Sequence, residues 1–273
     1  MNAVRRLNNN IVSPFSPLLE FGAGIVYGPY QVEHTGTTLG INPLGIGEKA
    51  CSFNCVYCDL GKTETRLNRV KNGIALPSYS DIEREVTAAF KKIHASGPVV
   101  DSIAISGNGE PTLHPEFAEI AKMLTTARDL WLPGKPISLY TNGVGLDTRK
   151  ISDGANLIDK RIVKIDAGGD RLFKLVNAPL SRTNLARILN GIRNLKDLNT
   201  QSLFFEGVIS NSQPADIDEW LEVIAMIRPK KVYIQGLSRT AATPGLVRCD
   251  ENTLYAIASR LERKTQIKAI VFP

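Results

Sequence analysis

The sequence predicts an α/β fold in which a parallel β-sheet alternates with helices. Short β-branched runs alternate with amphipathic stretches of helical length across 273 residues, and neither a repeat nor a linker interrupts them. This order requires right-handed crossovers, so the strands are parallel in either a βα barrel or a doubly wound sheet. About six βα units are visible. In both architectures ligands gather at the carboxyl ends of the strands.

Seven runs rich in β-branched residues are the predicted strands. They are residues 38–42, 102–106, 136–141, 161–166, 202–205, 231–235 and 267–271. Ser80 and Glu83 form a capping box, which predicts a helix from this point to about residue 95. Apolar residues spaced i, i+3, i+4 and i+7 predict three further helices around Phe117, Ile217 and Leu254.

The composition is typical of a soluble globular protein, with 43% apolar and 22% charged residues. No window approaches the roughly 18 apolar residues of a membrane span, and polar residues interrupt the N-terminus, so neither a membrane anchor nor a secretory signal is expected. Three of the four cysteines are clustered, which favours a reduced cytoplasmic location over a disulfide scaffold. The net charge of +6 could attract RNA, but interspersed acidic residues are typical of an ordinary solvated surface.

Cys51, Cys55 and Cys58 lie in the loop after the first predicted strand. A structural zinc site needs four ligands, and only the distant Cys249 could supply another thiol. A redox pair of Cys55 and Cys58 would leave Cys51 unexplained. A [4Fe-4S] cluster suits the spacing better, because three thiolates hold three irons and leave an open coordination site on the fourth. A non-catalytic iron–sulfur or zinc protein is the alternative.

The cysteine spacing, with Tyr57 just before the last thiol, resembles the signature of the radical S-adenosylmethionine (SAM) superfamily. The resemblance implies that Cys51, Cys55 and Cys58 ligate a [4Fe-4S] cluster and that SAM chelates the fourth iron. An electron from a reduced flavodoxin or ferredoxin-type donor would then cleave SAM, usually releasing a 5′-deoxyadenosyl radical. The implied fold is a partial (βα)6 TIM-like barrel, residues 38–273, with an irregular segment, residues 1–37, packed on it.

Glycines and polar side chains follow the next two predicted strands. Gly109 and Glu110 match the family's Gly-Gly-Glu element, whose carboxylate holds the methionine amine, whereas Asn108 replaces its first glycine. Thr141 and Asn142 stand where the family contacts the SAM ribose or carboxylate. The SAM-binding residues implied by the resemblance in these loops are Tyr57, Gly107, Asn108, Gly109, Glu110, Thr141 and Asn142.

Charged and polar residues end two later strands. A buried strand should be apolar, so Lys164 and Asp166 at the end of the fourth predicted strand need a partner or a ligand. An internal ion pair would satisfy both. We predict instead that Lys164, Asp166 and Arg239 are catalytic. Asp166 and Gln235 are also predicted to contact the cofactor. Gln235 and Arg239 follow the sixth strand, where adenine or substrate contacts would fall.

Elements along most of the chain, including residues 27–29, 39–43 and Asn177-Ala-Pro179, resemble a radical SAM group related to the wyosine-forming tRNA enzymes. Those enzymes carry further cysteines for a second cluster, whereas only Cys249 remains here, and we expect it to be an ordinary residue near a helix start. We therefore favour a small metabolite or natural-product precursor as substrate, in transferase- or lyase-type chemistry such as transfer of an aminocarboxypropyl fragment. A tRNA base is the alternative substrate.

Overall fold

The protein is described by a computed structural model over residues 24–32, 35–45, 48–63, 76–180 and 182–273. The strands are β1 (Val26–Val32), β2 (Gly36–Ile41), β3 (Ser102–Ile105), β4 (Ile137–Thr141), β5 (Lys160–Lys164), β6 (Leu198–Gly207), β7 (Lys231–Gly236), β8 (Leu246–Arg248) and β9 (Lys268–Phe272). The helices are α1 (Tyr79–Ser96), α2 (Phe117–Trp131), α3 (Arg149–Asn156), α4 (Asp170–Asn177), α5 (Leu185–Ile192), α6 (Pro214–Ile227) and α7 (Glu251–Thr265).

The sheet has the order β1-β2-β3-β4-β5-β6-β7-β9, with β8 paired to β6 outside this path. Strands β2 to β7 and β9 run parallel, and each of β2 to β7 is followed by at least one helix. All seven predicted strands and the six βα units are therefore confirmed. The strand order does not pair β1 with β9 in the described part of the chain, so the barrel is partial.

Two local expectations were wrong. Residues 26–32 of the supposedly irregular N-terminal segment form β1, which pairs antiparallel with β2 across a bulge between Tyr27 and Tyr30. The capping box of α1 uses Ser78 and Asp81, because the helix begins at Tyr79 and Asp81 is then the third helical residue. Residues 1–23, also predicted to be irregular, lie outside the described residues.

The parallel strands are apolar on the face that meets the helices. Ile41, Ile103 and Ile105 are fully buried there, in the main core with α1 and α2. A second, smaller cluster of Ile162, Tyr233 and Phe272 lies on the opposite face, inside the barrel. This inner cluster fills part of the barrel interior with apolar side chains. Among the described helices, none has both the length and the hydrophobicity to cross a membrane.

Candidate active site

An open cavity of about 200 Å³ lies at the carboxyl ends of the strands. Twelve of the predicted site residues line it: Cys51, Cys55, Tyr57, Cys58, Gly107, Gly109, Glu110, Thr141, Asn142, Lys164, Gln235 and Arg239. Asn108 and Asp166 are buried beside the cavity without lining it. Residues that are far apart in sequence therefore meet where parallel strands end, as the fold requires.

Gly109 lets the cysteine loop, residues 48–63, approach the end of β3. The Ala50 N–H donates to the Asn108 carbonyl at 2.8 Å, and the Glu110 N–H donates to the Ala50 carbonyl at 3.0 Å. Gly109 has φ +154°, and a Cβ there would lie 1.7 Å from the Ala50 oxygen. The close approach expected of this glycine is thus made to the loop that carries the thiols, and only glycine permits it.

The other side of the cysteine loop is held by the end of α4. The Val56 N–H donates to the Val176 carbonyl at 2.9 Å, and the Asn54 N–H donates to the Ala178 carbonyl at 3.0 Å. Ala178 has φ +41° and ends the helix in a left-handed conformation, which turns the chain back along the loop. The thiols are thus presented from a loop that is clamped on both sides by backbone hydrogen bonds.

Glu110 connects the ends of β3 and β4. Its Oε1 accepts hydrogen bonds from the Thr112 N–H and from the Thr112 and Thr141 hydroxyls, whereas Oε2 accepts one, from the Asn142 N–H at 2.7 Å. Burial raises the pKa of Glu110, although each of these four hydrogen bonds by itself would lower it. Within the described residues Oε2 has the single donor, so it is the oxygen with capacity for a further hydrogen bond from a ligand.

Two asparagine amides face cysteine sulfurs. The Asn142 Nδ2 lies 3.6 Å from Cys51 Sγ and also donates to Ser52 Oγ at 2.9 Å. The Asn177 Nδ2 lies 3.5 Å from Cys55 Sγ. The sequence does not predict the contact of Asn177 with Cys55, although Asn177-Ala-Pro179 is part of the family resemblance. In the sequence alone, a polar residue at the end of a helix is typical of an ordinary helix cap.

Asp166 lies beneath the cavity, and its side chain is fully buried. Oδ2 accepts hydrogen bonds from the Tyr57 hydroxyl at 2.5 Å and the Asn177 amide at 2.9 Å, while Oδ1 accepts from the Leu203 N–H at 2.8 Å. Lys164 Nζ lies 3.8 Å from Oδ1. The carboxylate is therefore occupied by protein donors and positions Tyr57 and Asn177, instead of facing a ligand in the cavity.

The ends of β5, β6 and β7 bring polar side chains to the cavity. Lys164 Nζ lies 4.8 Å from the centre of the Tyr57 ring, and its side chain is 17% exposed. Gln201, which was not predicted, donates its amide to Gln235 Oε1, and both glutamines are buried. Gln201 and Leu203 are two residues apart on β6 and both line the cavity. The predicted strand, residues 202–205, begins after Gln201, so the strand pattern gives no signal for this residue.

A loop after β7 forms the rim of the cavity over the cysteine loop. Arg239 forms an ion pair of 2.7 Å with Asp59, which follows Cys58, and the two side chains are about one quarter exposed. The Thr243 N–H donates to the Val56 carbonyl at 3.0 Å. Arg239 therefore lines the cavity while also joining this rim to the cysteine loop.

The donor set fits a [4Fe-4S] cluster. All four cysteines are free thiols, and three of them line one cavity with asparagine donors beside two sulfurs. Burial and the neighbouring Cys58 raise the pKa of the Cys55 thiol to about 11, so binding of iron must displace its proton. Cys249 is 1% exposed in the core before α7, as expected of an ordinary buried residue, and does not line the cavity.

A sequence profile of the radical SAM superfamily matches residues 49–224, from the cysteine loop to α6. A UPF0026 protein of Synechocystis sp. is 33% identical over 217 residues, which cover 78% of this chain and 76% of that protein. A UPF0026 protein of Helicobacter pylori is 28% identical, and the match covers 62% of this chain and 50% of that protein. The chain thus spans about half of some relatives and three quarters of others.

Two solved structures share the fold. A radical SAM methyltransferase from Sphaerobacter thermophilus superposes with a TM-score of 0.62 at 16% identity, over 86% of this chain and 65% of that one. TYW1 with a lysine-pyruvate adduct bound superposes with a TM-score of 0.56 at 15% identity, over 85% of this chain and 74% of that one. The likeness extends beyond residues 49–224 to most of the partial barrel.

Proposed function

The chain belongs to the radical SAM superfamily, whose enzymes use a [4Fe-4S] cluster and SAM, and we propose that it modifies a small metabolite or natural-product precursor. The observation that carries this proposal is the cavity itself. Three thiols of the cysteine loop line it, together with Lys164, Gln201 and Gln235 from β5, β6 and β7. This arrangement provides two chemically different halves, one suited to the cofactors and one to a polar substrate.

The cofactor half is formed by the cysteine loop and the ends of β3 and β4. Cys51, Cys55 and Cys58 hold the cluster, and when bound the reduced cluster supplies the electron that cleaves a sulfur–carbon bond of SAM. Glu110 Oε2 accepts a hydrogen bond from the SAM ammonium group, in a setting where burial strengthens the attraction between the charges. Asn142 lies between this carboxylate and Cys51, where it orients both neighbours.

The substrate half is formed by the ends of β5, β6 and β7. Lys164 supplies a positive charge whose nearest carboxylate, Asp166, is 3.8 Å away and already accepts three other hydrogen bonds. Gln201 and Gln235 offer amide groups, and Arg239 borders the opening. A small molecule with an acidic or carbonyl group suits these donors, and the rim after β7 limits the access of water to the bound substrate.

The reaction that we favour is of the lyase or transferase type. It includes, as one form, transfer of an aminocarboxypropyl fragment of SAM to the substrate. The two modes of SAM cleavage leave different products, 5′-deoxyadenosine in one and methylthioadenosine in the other. Liquid chromatography of these products from the reduced, iron-loaded enzyme therefore decides between them.

A tRNA base is the second candidate substrate. The net charge of +6 and the fold shared with TYW1 favour it, because a basic surface attracts polyanions. This alternative predicts RNA binding whose affinity falls steeply with salt concentration, as phosphate contacts release counterions. A filter-binding titration at several salt concentrations measures that slope.

The substrate class is tested by adding two fractions of the same cell extract to the reduced, iron-loaded enzyme with SAM. One fraction contains molecules below the size of tRNA, and the other contains purified bulk tRNA. We expect the small-molecule fraction to stimulate SAM cleavage and the tRNA fraction to leave it unchanged. Stimulation by tRNA alone, together with salt-dependent RNA binding, would refute the small-molecule proposal.

We further propose that the enzyme works in the reducing cytoplasm with a flavodoxin or ferredoxin-type electron donor. Four free thiols support a reducing compartment, because an oxidising one would pair neighbouring cysteines. Reduction by purified flavodoxin and its reductase, compared with chemical dithionite, tests the donor. SAM cleavage with dithionite but not with flavodoxin or ferredoxin would contradict this assignment.

A further inference from the structure

The Asn177 side chain lies between a cysteine sulfur and a buried carboxylate. Its Nδ2 is 3.5 Å from Cys55 Sγ and 2.9 Å from Asp166 Oδ2, and the residue is 3% exposed. A carboxylate only accepts hydrogen bonds, so the amide must turn its nitrogen towards Asp166. The same nitrogen therefore has a second N–H for the sulfur.

The backbone around Asn177 fixes this orientation. Asn177 is the last residue of α4, and its neighbours Val176 and Ala178 accept hydrogen bonds from the Val56 and Asn54 N–H groups of the cysteine loop. The amide thus moves with the loop that carries Cys55. Asp166 is itself held by the Leu203 N–H at 2.8 Å on its other oxygen. The donor is consequently preorganised from both of its ends.

We propose that Asn177 is a positioning residue that tunes the [4Fe-4S] cluster through an N–H···S hydrogen bond to Cys55. Hydrogen bonds to cluster sulfurs stabilise the more negative, reduced state and so raise the reduction potential. The carboxylate of Asp166 keeps the donor aimed at the sulfur, which gives this buried acid a role without contact to SAM. The inference rests on the cluster assigned above and is independent of the substrate.

The test measures the midpoint potential of the iron-loaded full-length protein without substrate. Electron paramagnetic resonance reports the fraction of reduced cluster at each potential. Asn177→Leu has a similar volume and no donor. We expect the ratio of reduced to oxidised cluster at a fixed potential to fall about tenfold, which corresponds to a decrease of 59 mV for a one-electron couple. Asn177→Gln retains an amide and should recover part of this shift.

Asn199→Leu is the matched control. Asn199 is also a buried amide, 8% exposed, but its nitrogen donates to the Arg161 carbonyl oxygen and the residue does not line the cavity. This variant should leave the midpoint potential unchanged. A general loosening of the fold is thereby separated from loss of the bond to sulfur.

A second variant covers the case in which Asn177→Leu does not fold. Asn177→Ala is smaller and uncharged and also removes the N–H donor, so it should lower the potential as well. The proposal is overturned if either variant binds four irons and keeps the wild-type potential, or if Asn199→Leu shifts the potential equally. Because SAM turnover and substrate are absent, an error in the substrate assignment would not change these outcomes.

Discussion

Substitution of Gly109 by alanine should dislodge the cysteine loop from β3. The new Cβ would lie 1.7 Å from the Ala50 oxygen and 3.1 Å from the Cys51 nitrogen. Both neighbours are backbone atoms, so a side-chain rotation cannot relieve the overlap. Ala50 would have to retreat by roughly 1.7 Å or more to restore a contact of about 3.5 Å, and Cys51 would move with it.

The energetic cost has two parts. An alanine held at φ +154° costs about 1–3 kcal/mol. Movement of Ala50 also breaks its two backbone hydrogen bonds to the Asn108–Glu110 segment, at roughly 1 kcal/mol each. A loss of at least ~3 kcal/mol lowers the melting temperature by roughly 6–12 °C in a domain of about this size.

The assay combines thermal unfolding of the iron-free protein with iron content after anaerobic reconstitution. We expect Gly109→Ala to melt earlier and to bind less iron than the wild type, because Cys51 is displaced. Gly134→Ala is the matched control, since Gly134 also has a positive φ, +78°, but has open space where the Cβ would lie. It isolates backbone strain from the collision with Ala50.

The reasoning fails if Gly109→Ala reconstitutes with four irons per chain and melts within error of Gly134→Ala. That result would mean that the contact between the cysteine loop and β3 is dispensable for presenting the thiols. A lower melting temperature with full iron content would refute only the link between Ala50 and Cys51.

Three further outcomes are expected. Cys55→Ala should abolish the brown [4Fe-4S] absorbance and SAM cleavage, whereas Cys249→Ala should retain both, since its sulfur does not line the cavity. Lys164→Met should keep basal SAM cleavage but lose stimulation by substrate; unchanged stimulation, measured by product chromatography, would contradict its place in the substrate half. Burial alone would raise the pKa of Asp159, but hydrogen bonds from Arg128 and the Ile137 N–H lower it below its usual value. The unfolded chain therefore binds the Asp159 proton more tightly than the folded protein does. This contribution to stability is present above the usual pKa of about 3.8 and is lost as the pH falls through the lower pKa of the folded protein. In unfolding titrations at acidic pH, Arg128→Met should therefore show a smaller loss of stability than the wild type.

The parallel strands could be predicted because they are buried on both faces and read as continuous β-branched runs. Strand β1 could not be predicted in this way. Gly28 and Pro29 interrupt its sequence at the bulge, and both residues normally weaken a strand prediction, yet an edge strand tolerates them. β8 is three residues long, which is too short for any period to emerge.

The meeting of the cysteines with the loops after β3 and β4 in one cavity could be predicted, because each lies in a local motif at a strand end. The role of Asp166 could not, since it depends on partners that the fold brings from elsewhere. Tyr57 is 109 residues away in sequence and Asn177 is 11 residues away, and both bind the same carboxylate oxygen. A charged residue at a strand end indicates that a partner exists, but only the tertiary structure identifies it.

The clamped cysteine loop also determines the order of assembly. Cys51 and Cys55 take their asparagine donors from residues 91 and 122 positions further along the chain. Contacts this distant in sequence require the chain between them to close, at a cost in loop-closure entropy. A chain without β4 and α4 presents the same thiols without their amide neighbours. We therefore expect a chain that ends before α4 to be a poor acceptor for the cluster.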